Sequence, residues 1–171
     1  MSQNSDGERA DDVIKKYASV KTDPDFQLNN IFFYQGSDRV FGSIASGKDL
    51  LIEVHYELFN RLNQFRVFLD VCDQFGSVIF RTFHDEQKES SMVLGPGRYV
   101  SRVKLPANLL GPLSYTFKFL FGIHNLRMMH PADGISFRIN VEPTGVYNRA
   151  YGGQFTAGII TPVFDWKIDL T

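Results

Sequence analysis

The segment Tyr115-Thr116-Phe117-Lys118-Phe119-Leu120-Phe121 decides the fold class. Aromatic rings stand at every second position, with Thr116, Lys118 and Leu120 between them. Successive side chains of a strand point to opposite faces, so this spacing gathers four rings on one face. A helix would scatter them around its axis. The same alternation recurs on both sides of this segment. Leu50, Ile52, Val54, Tyr56 and Leu58 interleave with Leu51, Glu53, His55, Glu57 and Phe59. Phe65, Val67, Leu69 and Val71 form an inward set, with Arg66, Phe68 and Asp70 opposite. Ile135, Phe137, Ile139 and Val141 do the same against Ser136, Arg138 and Asn140.

Further strands are expected over Gln27 to Tyr34, Val78 to Phe83 and Arg98 to Leu105, with local pairing over Val40 to Ile44. Turns are expected at Gly36-Ser37-Asp38, Ser46-Gly47-Lys48, Asp73 to Ser77 and Gly95-Pro96-Gly97. A last strand is expected within Phe155 to Ile168, where Pro162 points to an edge, a bulge or exchange with a partner. Strands spaced by roughly 8–15 residues, with no amphipathic helix between them, predict an all-β, antiparallel β-sandwich. A parallel α/β fold is excluded for want of crossover helices. Residues 1–25 read differently. Met1 to Ala10 is polar, Asp11 to Val20 has the pattern of two helical turns, and Asp23-Pro24-Asp25 ends it. The expected organisation is a linker or short helical segment over 1–25 and a sandwich over 26–171.

The chain has 171 residues, 43% hydrophobic and 22% charged, which suits one globular domain with a tail. Sixteen Phe and seven Tyr fit a core of rings packed across strands. Eighteen Lys and Arg against nineteen Asp and Glu leave a net charge of −1. Nothing in that balance would neutralise a phosphate backbone, so nucleic acid is not an expected partner. No apolar run approaches the length of a membrane span. Met1 to Arg9 has no apolar h-region, so no secretory signal is expected. Cys72 is the single cysteine, which excludes an internal disulfide and a cysteine-rich zinc site. A cytoplasmic location is the expectation.

Several residue groups invite a chemical reading. Gly42 to Asp49 is close to a phosphate-binding loop, but Asp49 stands where a Ser or Thr should ligand magnesium. The segment also runs into a strand instead of a helix, so it reads as a turn. His55 and Glu57 share a strand face, without a third ligand at a recognisable spacing; a solvated face is the better reading. His124 and His130 flank a polar loop containing Asn125, Arg127 and Asp133, which reads as ordinary loop polarity. No Gly-x-Ser-x-Gly elbow occurs, and Cys72 has no sequence neighbour that would activate it. Glu53, Glu57 and Asp70 lie on strand faces, with nothing to select them as a hydrolytic pair. No metal or cofactor is expected. Phe68 differs in kind. It is an aromatic flanked by Arg66 and Asp70 on an outer strand face, which suits a sugar: C–H faces stack on rings while hydroxyls take polar partners. Packing beneath a loop or a second subunit is the equal alternative.

An ordered set of motifs carries a resemblance over about residues 27–168. It comprises Phe41-Gly42-Ser43-Ile44-Ala45-Ser46-Gly47-Lys48-Asp49-Leu50 through Tyr56, the strand and hairpin Val67 to Phe80 around Gly76, and Gly95-Pro96-Gly97-Arg98-Tyr99. Leu105-Pro106-Ala107-Asn108-Leu109-Leu110-Gly111-Pro112 through Tyr115 follows, then Asp133-Gly134-Ile135 through Ile139, Gly158 to Pro162 and Trp166. This set resembles the C-terminal polysaccharide-binding domain of Wzt-type subunits, which serve ABC-transporter export of O-antigen in Gram-negative bacteria.

The resemblance implies an immunoglobulin-like sandwich that binds a polysaccharide without altering it, acting as a homodimer with an exchanged C-terminal strand. Phe155, Ile159, Ile160, Pro162 and Trp166 fall on the segment matching that strand. It further implies ATPase and permease subunits as partners, and a place at the inner face of the inner membrane. The family's ATPase domain has no counterpart within these residues. The saccharide contacts expected from strand alternation are Phe68 as platform with Arg66, Asp70, Lys118 and Arg138 around it. Two other readings stand beside this one. One is a structural or protein-interaction sandwich, with Leu51, Phe59, Phe68 and Leu120 at an interface. The other is a sugar-modifying enzyme, which would need a metal or two facing carboxylates.

Overall fold

The computed structural model describes residues 23–88, 92–145 and 158–168. The helical segment expected over Asp11 to Val20, and Phe155, lie outside them. Twelve strands follow in order among these residues: β1 Phe26–Gln35, β2 Asp38–Val40, β3 Ser43–Ala45, β4 Leu50–Leu58, β5 Leu62–Asn63, β6 Phe65–Cys72, β7 Val78–Phe83, β8 Val93–Leu94, β9 Gly97–Leu105, β10 Ser114–Ile123, β11 Arg127–Met128 and β12 Ile135–Glu142. The expected all-β class is what the structure shows. The first sheet has the order β2-β1-β4-β9 and is antiparallel throughout. The second runs β3-β12-β10-β6-β7, with β11 added to the end of β10. β5 and β8 form a separate short ribbon.

The alternating strands face as their sequences require. Leu50, Ile52, Val54, Tyr56 and Leu58 are all 2% exposed or less. Tyr115, Phe117, Phe119 and Phe121 are no more than 1% exposed, so the four rings that decided the fold class are all in the core. Two ring clusters join the sheets. Phe26 of β1 lies 4.7 Å from Phe121 of β10 and 5.6 Å from Phe65 of β6, centroid to centroid. Phe33 of β1 meets Phe117, Phe119 and Phe137 at 5.6–6.3 Å. Aromatic pairs at these separations and tilts add to the stabilisation from area burial alone.

Three details differ from the sequence reading. The stretch Val40 to Ile44 does not pair locally as one unit. β2 pairs back on β1, while β3 crosses to the other sheet and runs parallel to β12. Three-residue strands carry too little pattern to reveal such a partner. Arg127–Met128, expected as loop, pairs with Gly122 and Ile123. The Gly122 position has room for this only because it lacks a side chain: a Cβ there would lie 2.9 Å from the Arg127 carbonyl oxygen. The strand expected within Phe155 to Ile168 is, among the described residues 158–168, a single antiparallel bridge between Ile160 and Leu110. Thr161 N–H donates to the Leu109 carbonyl, and Gly111 N–H to the Ile159 carbonyl. Pro162 follows directly and ends this pairing, because it has no N–H to donate.

The near-phosphate stretch is a turn only over Ser46-Gly47-Lys48; Ser43–Ala45 within it is β3. Gly47 N–H donates to Thr144 Oγ1 at 2.8 Å, and buried Gln35 clamps the segment through the N–H and carbonyl of Ala45. The chain then enters β4.

Candidate functional site

The outer face of the second sheet collects all five residues expected around the platform. Register fixes their placement. Phe68 of β6 lies opposite Phe83 of β7 and Leu120 of β10. Asp70 lies opposite Arg81 on one side and Lys118 on the other. Lys118 in turn faces Ser136 of β12, and Thr116 faces Arg138. Arg66 stands one step beyond Phe68 on β6, opposite Gly122. Because side chains on one face recur every two residues, these groups form a continuous patch across four strands.

Asp70 plays a different part from the one expected. It is only 3% exposed and both its oxygens accept from Arg81, from Nε and, at 2.7 Å, from Nη2. A bidentate pair of this kind fixes the guanidinium plane. The carboxylate is thus an anchor for Arg81, and Arg81 is the group presented to solvent, its side chain 52% exposed. Its guanidinium also sits 5.6 Å from the centre of the Phe68 ring. The pairing with Asp70 holds the Arg81 pKa above its usual value.

Arg66 repeats the arrangement one row away. Its Nε lies 2.9 and 3.0 Å from the two oxygens of Asp85, which is 4% exposed. Its guanidinium lies 4.6 Å from the Phe83 ring centre. Phe68 and Phe83 are 5.9 Å apart and tilted by 56°. The result is two rings side by side, each with a guanidinium held against it by a buried carboxylate. Lys118 is half-buried and Arg138 exposed. Leu120 is on the outer face opposite Phe68, as expected, but is covered there and only 9% exposed. Gly134, from the loop before β12, lies against it: a Cβ at that glycine would come 2.8 Å from Leu120 Cδ2.

Sequence reasoning missed Arg81, Phe83 and Asp85. Val78 to Phe83 reads VIFRTF, with no clean alternation, and a register shift between Val71 and Cys72 breaks the simple count across the hairpin. The signal available was a cation and a ring two positions apart on the strand after an Asp73-to-Ser77 turn.

The outer face of the first sheet is polar and internally paired. Glu53 accepts from Arg102 at 2.7 Å and meets His55 Nε2 at 3.0 Å. Glu57 lies 3.5 Å from Arg98. Phe32 is covered by the Arg39 guanidinium, 4.4 Å from its centre. Among the described residues, no group of three or more His, Cys, Asp and Glu comes together as a metal site. His124 and His130 do not converge on a site either: the backbone N–H of each is used in holding the loop, to Gln64 O and Asp23 Oδ2.

Between the open edges β7 and β9 lies a cleft of about 370 Å³, floored by Val54, Val67, Leu69 and Phe119. His84 and Ser101 line it. The Phe65 carbonyl can only accept, so His84 Nε2–H donates to it at 2.9 Å. Nδ1 then accepts from Ser101 Oγ at 3.0 Å, and Ser101 accepts from the Tyr56 hydroxyl at 3.1 Å. Burial is the main cause holding the His84 pKa below 6.5; the bond to Phe65 works against it. His84 is therefore neutral in the fold, while an unfolded chain binds a proton near pH 6.5. Stability from this group is complete above that value and declines as pH falls toward the lowered folded pKa. Urea unfolding at about pH 7.5 and pH 5.5 checks this. The wild type should lose up to about 1.4 kcal/mol per pH unit through this group, and His84→Gln should flatten that slope. An unchanged slope would show that His84 takes up its proton equally in the folded and unfolded states.

Among solved structures, the fold is similar to the C-terminal domain of Wzt, with a TM-score of 0.64 and 11% identity, covering 94% of this chain and 99% of that one. The likeness is one of fold. A β-glucosidase from Erythrobacter marinus aligns over 68% of this chain and 15% of its own (TM-score 0.40, 14% identity). One from Listeria innocua aligns over 68% and 16% (TM-score 0.34, 10% identity). No protein-family model matches the sequence, and no curated protein matches it.

Proposed function

We propose that this chain is a non-catalytic polysaccharide-binding domain of the kind that accompanies ABC-transporter export of a bacterial surface glycan such as O-antigen. The fold it shares with the C-terminal domain of Wzt is the premise. The single observation that carries the reading is the Phe68–Phe83 ring pair on an outer sheet face, bracketed by fixed polar groups. A shallow platform of this sort suits an extended chain of sugars, whose C–H faces stack while their hydroxyls meet the surrounding donors. Each sugar contact is weak. Two platforms in a dimer would raise the avidity for a repeating polymer. On this reading the domain acts in the cytoplasm at the inner face of the inner membrane, with ATPase and permease subunits as partners, and needs no cofactor.

A glycan array, followed by calorimetric titration of the best ligand, tests the proposal. Phe68→Ala should weaken binding about 3–10-fold, the worth of one ring contact. Retained affinity in that variant would remove this face from consideration. Measurable turnover of the glycan would turn the reading toward an enzyme.

A homodimer with an exchanged C-terminal segment fits the second half of the proposal. Val163, Phe164, Trp166 and Ile168 are 56%, 71%, 89% and 96% exposed, an apolar run that a lone chain leaves in water. Ile159, Ile160 and Pro162 stand where this run leaves the domain, at the Leu110 bridge. Native mass should give a dimer, and a chain ending at Thr161 should give a monomer. A monomeric full chain would overturn the exchange.

A further inference from the structure

We infer that the second sheet's outer face selects a polysaccharide bearing an anionic group, a carboxylate or a phosphate ester, close to the sugar that stacks on Phe68. This rests on the glycan-binding reading above and narrows its substrate class.

The argument turns on which polar atoms the face offers. A sugar hydroxyl both donates and accepts, so a site for a neutral glycan needs acceptors as well as donors. Two carboxylates belong to this platform, and both are withdrawn from it. Asp70 is 3% exposed and occupied on both oxygens by Arg81. Asp85 is 4% exposed and lies beneath Arg66. What remains at the rings is donors. A guanidinium has five N–H groups and no acceptor, and an ammonium has three donors and no acceptor. Arg81 spends two of its five on Asp70. The rest are free in number to meet a ligand.

Charge points the same way. Arg66, Arg81, Lys118 and Arg138 share the face with the two covered carboxylates, leaving an excess of positive charge at its centre. Glu142 stands at the far end of β12, bonded to Ser43 at 2.6 Å. The chain as a whole carries −1, so the cationic patch is local and not a reflection of overall composition. Ser136 and Thr116 can accept as well as donate, but they stand opposite Lys118 and Arg138, off the Phe68–Phe83 row. The two guanidiniums are also held in place before any ligand arrives, so less freedom is lost on binding than with mobile arginines. Planar, oriented guanidinium suits the paired oxygens of carboxylate and phosphate.

The test compares polymers of matched length by calorimetric titration into the full chain: oligogalacturonate, a phosphomannan, neutral mannan and dextran, and polyglutamate as a polyanion without sugars. One or both acidic glycans should bind at least about tenfold tighter than the neutral pair, as one charge-assisted contact provides. The preferred one identifies the anionic group. Lys118→Gln, which removes a charge without uncovering a buried carboxylate, should weaken that binding severalfold. Arg81→Gln should weaken it more. Equal or tighter binding of mannan or dextran would overturn the selection for charge and leave the glycan reading standing. Binding of no glycan would overturn both. Polyglutamate bound as well as the acidic glycans, or Lys118→Gln without effect, would also overturn the inference.

Discussion

Phe65→Ala is expected to lower the unfolding free energy by about 3–5 kcal/mol, the range for truncating a fully buried Phe. The ring is 0% exposed and meets Phe26 at 5.6 Å, Tyr56 at 5.2 Å and His84 at 5.8 Å. Phe26 and Tyr56 belong to the first sheet and Phe65 to the second, so truncation opens a void at the joint between the layers. Tyr56 is held in β4 by pairing on both sides, to Leu28 and Tyr99, which limits collapse into the void. Urea unfolding followed by circular dichroism checks this. Phe75→Ala is the control, because Phe75 is 82% exposed in a hairpin turn and should change stability by no more than about 0.5 kcal/mol. A loss below about 1 kcal/mol for Phe65→Ala would mean that the joint repacks freely.

Gly134→Ala is expected to cost at least about 3 kcal/mol and, on the glycan-binding proposal, to weaken that binding as well. Two penalties combine. The backbone at Gly134 has φ +76°, a region that L residues adopt only at a cost of about 1–2 kcal/mol. A Cβ there would also lie 2.4 Å from the Phe119 carbonyl oxygen, an overlap with backbone that no side-chain rotation relieves. The loop must move off β10, uncovering Leu120 beside Phe68. Gly36→Ala separates the two penalties. Gly36 has φ +64° but nothing within 4 Å of its added Cβ, so only the backbone cost of about 1–2 kcal/mol applies. Comparable losses in the two variants would show that contact with β10 is immaterial.

The layers of this fold were legible in its sequence because four long strands repeat one period without interruption. Leu50 to Leu58 could face the core in only one way. The make-up of the candidate face was legible by half. Alternation places Arg66, Phe68, Lys118 and Arg138 on one outer face, and so the structure has them. It could not show that Asp70 is covered, since its partner Arg81 is set by hairpin register and the irregularity at Val71/Cys72. Phe83 was hidden because β7 is an edge strand, half-exposed on both faces, and carries no strict pattern; Asp85 lies in the turn after it, where no period applies. The parallel docking of β3 depends on three residues and a distant strand, too little for any local rule.

Trp166, the sole tryptophan, is 89% exposed near the end of the described chain. Its indole emission should be red-shifted and readily quenched by iodide or acrylamide in the isolated protomer. Denaturant should barely change that signal while far-ultraviolet dichroism collapses. Selectively excited tryptophan emission is thus blind to the melting of this domain. A blue shift that grows with protein concentration would instead mark the moment at which another surface closes over the tail.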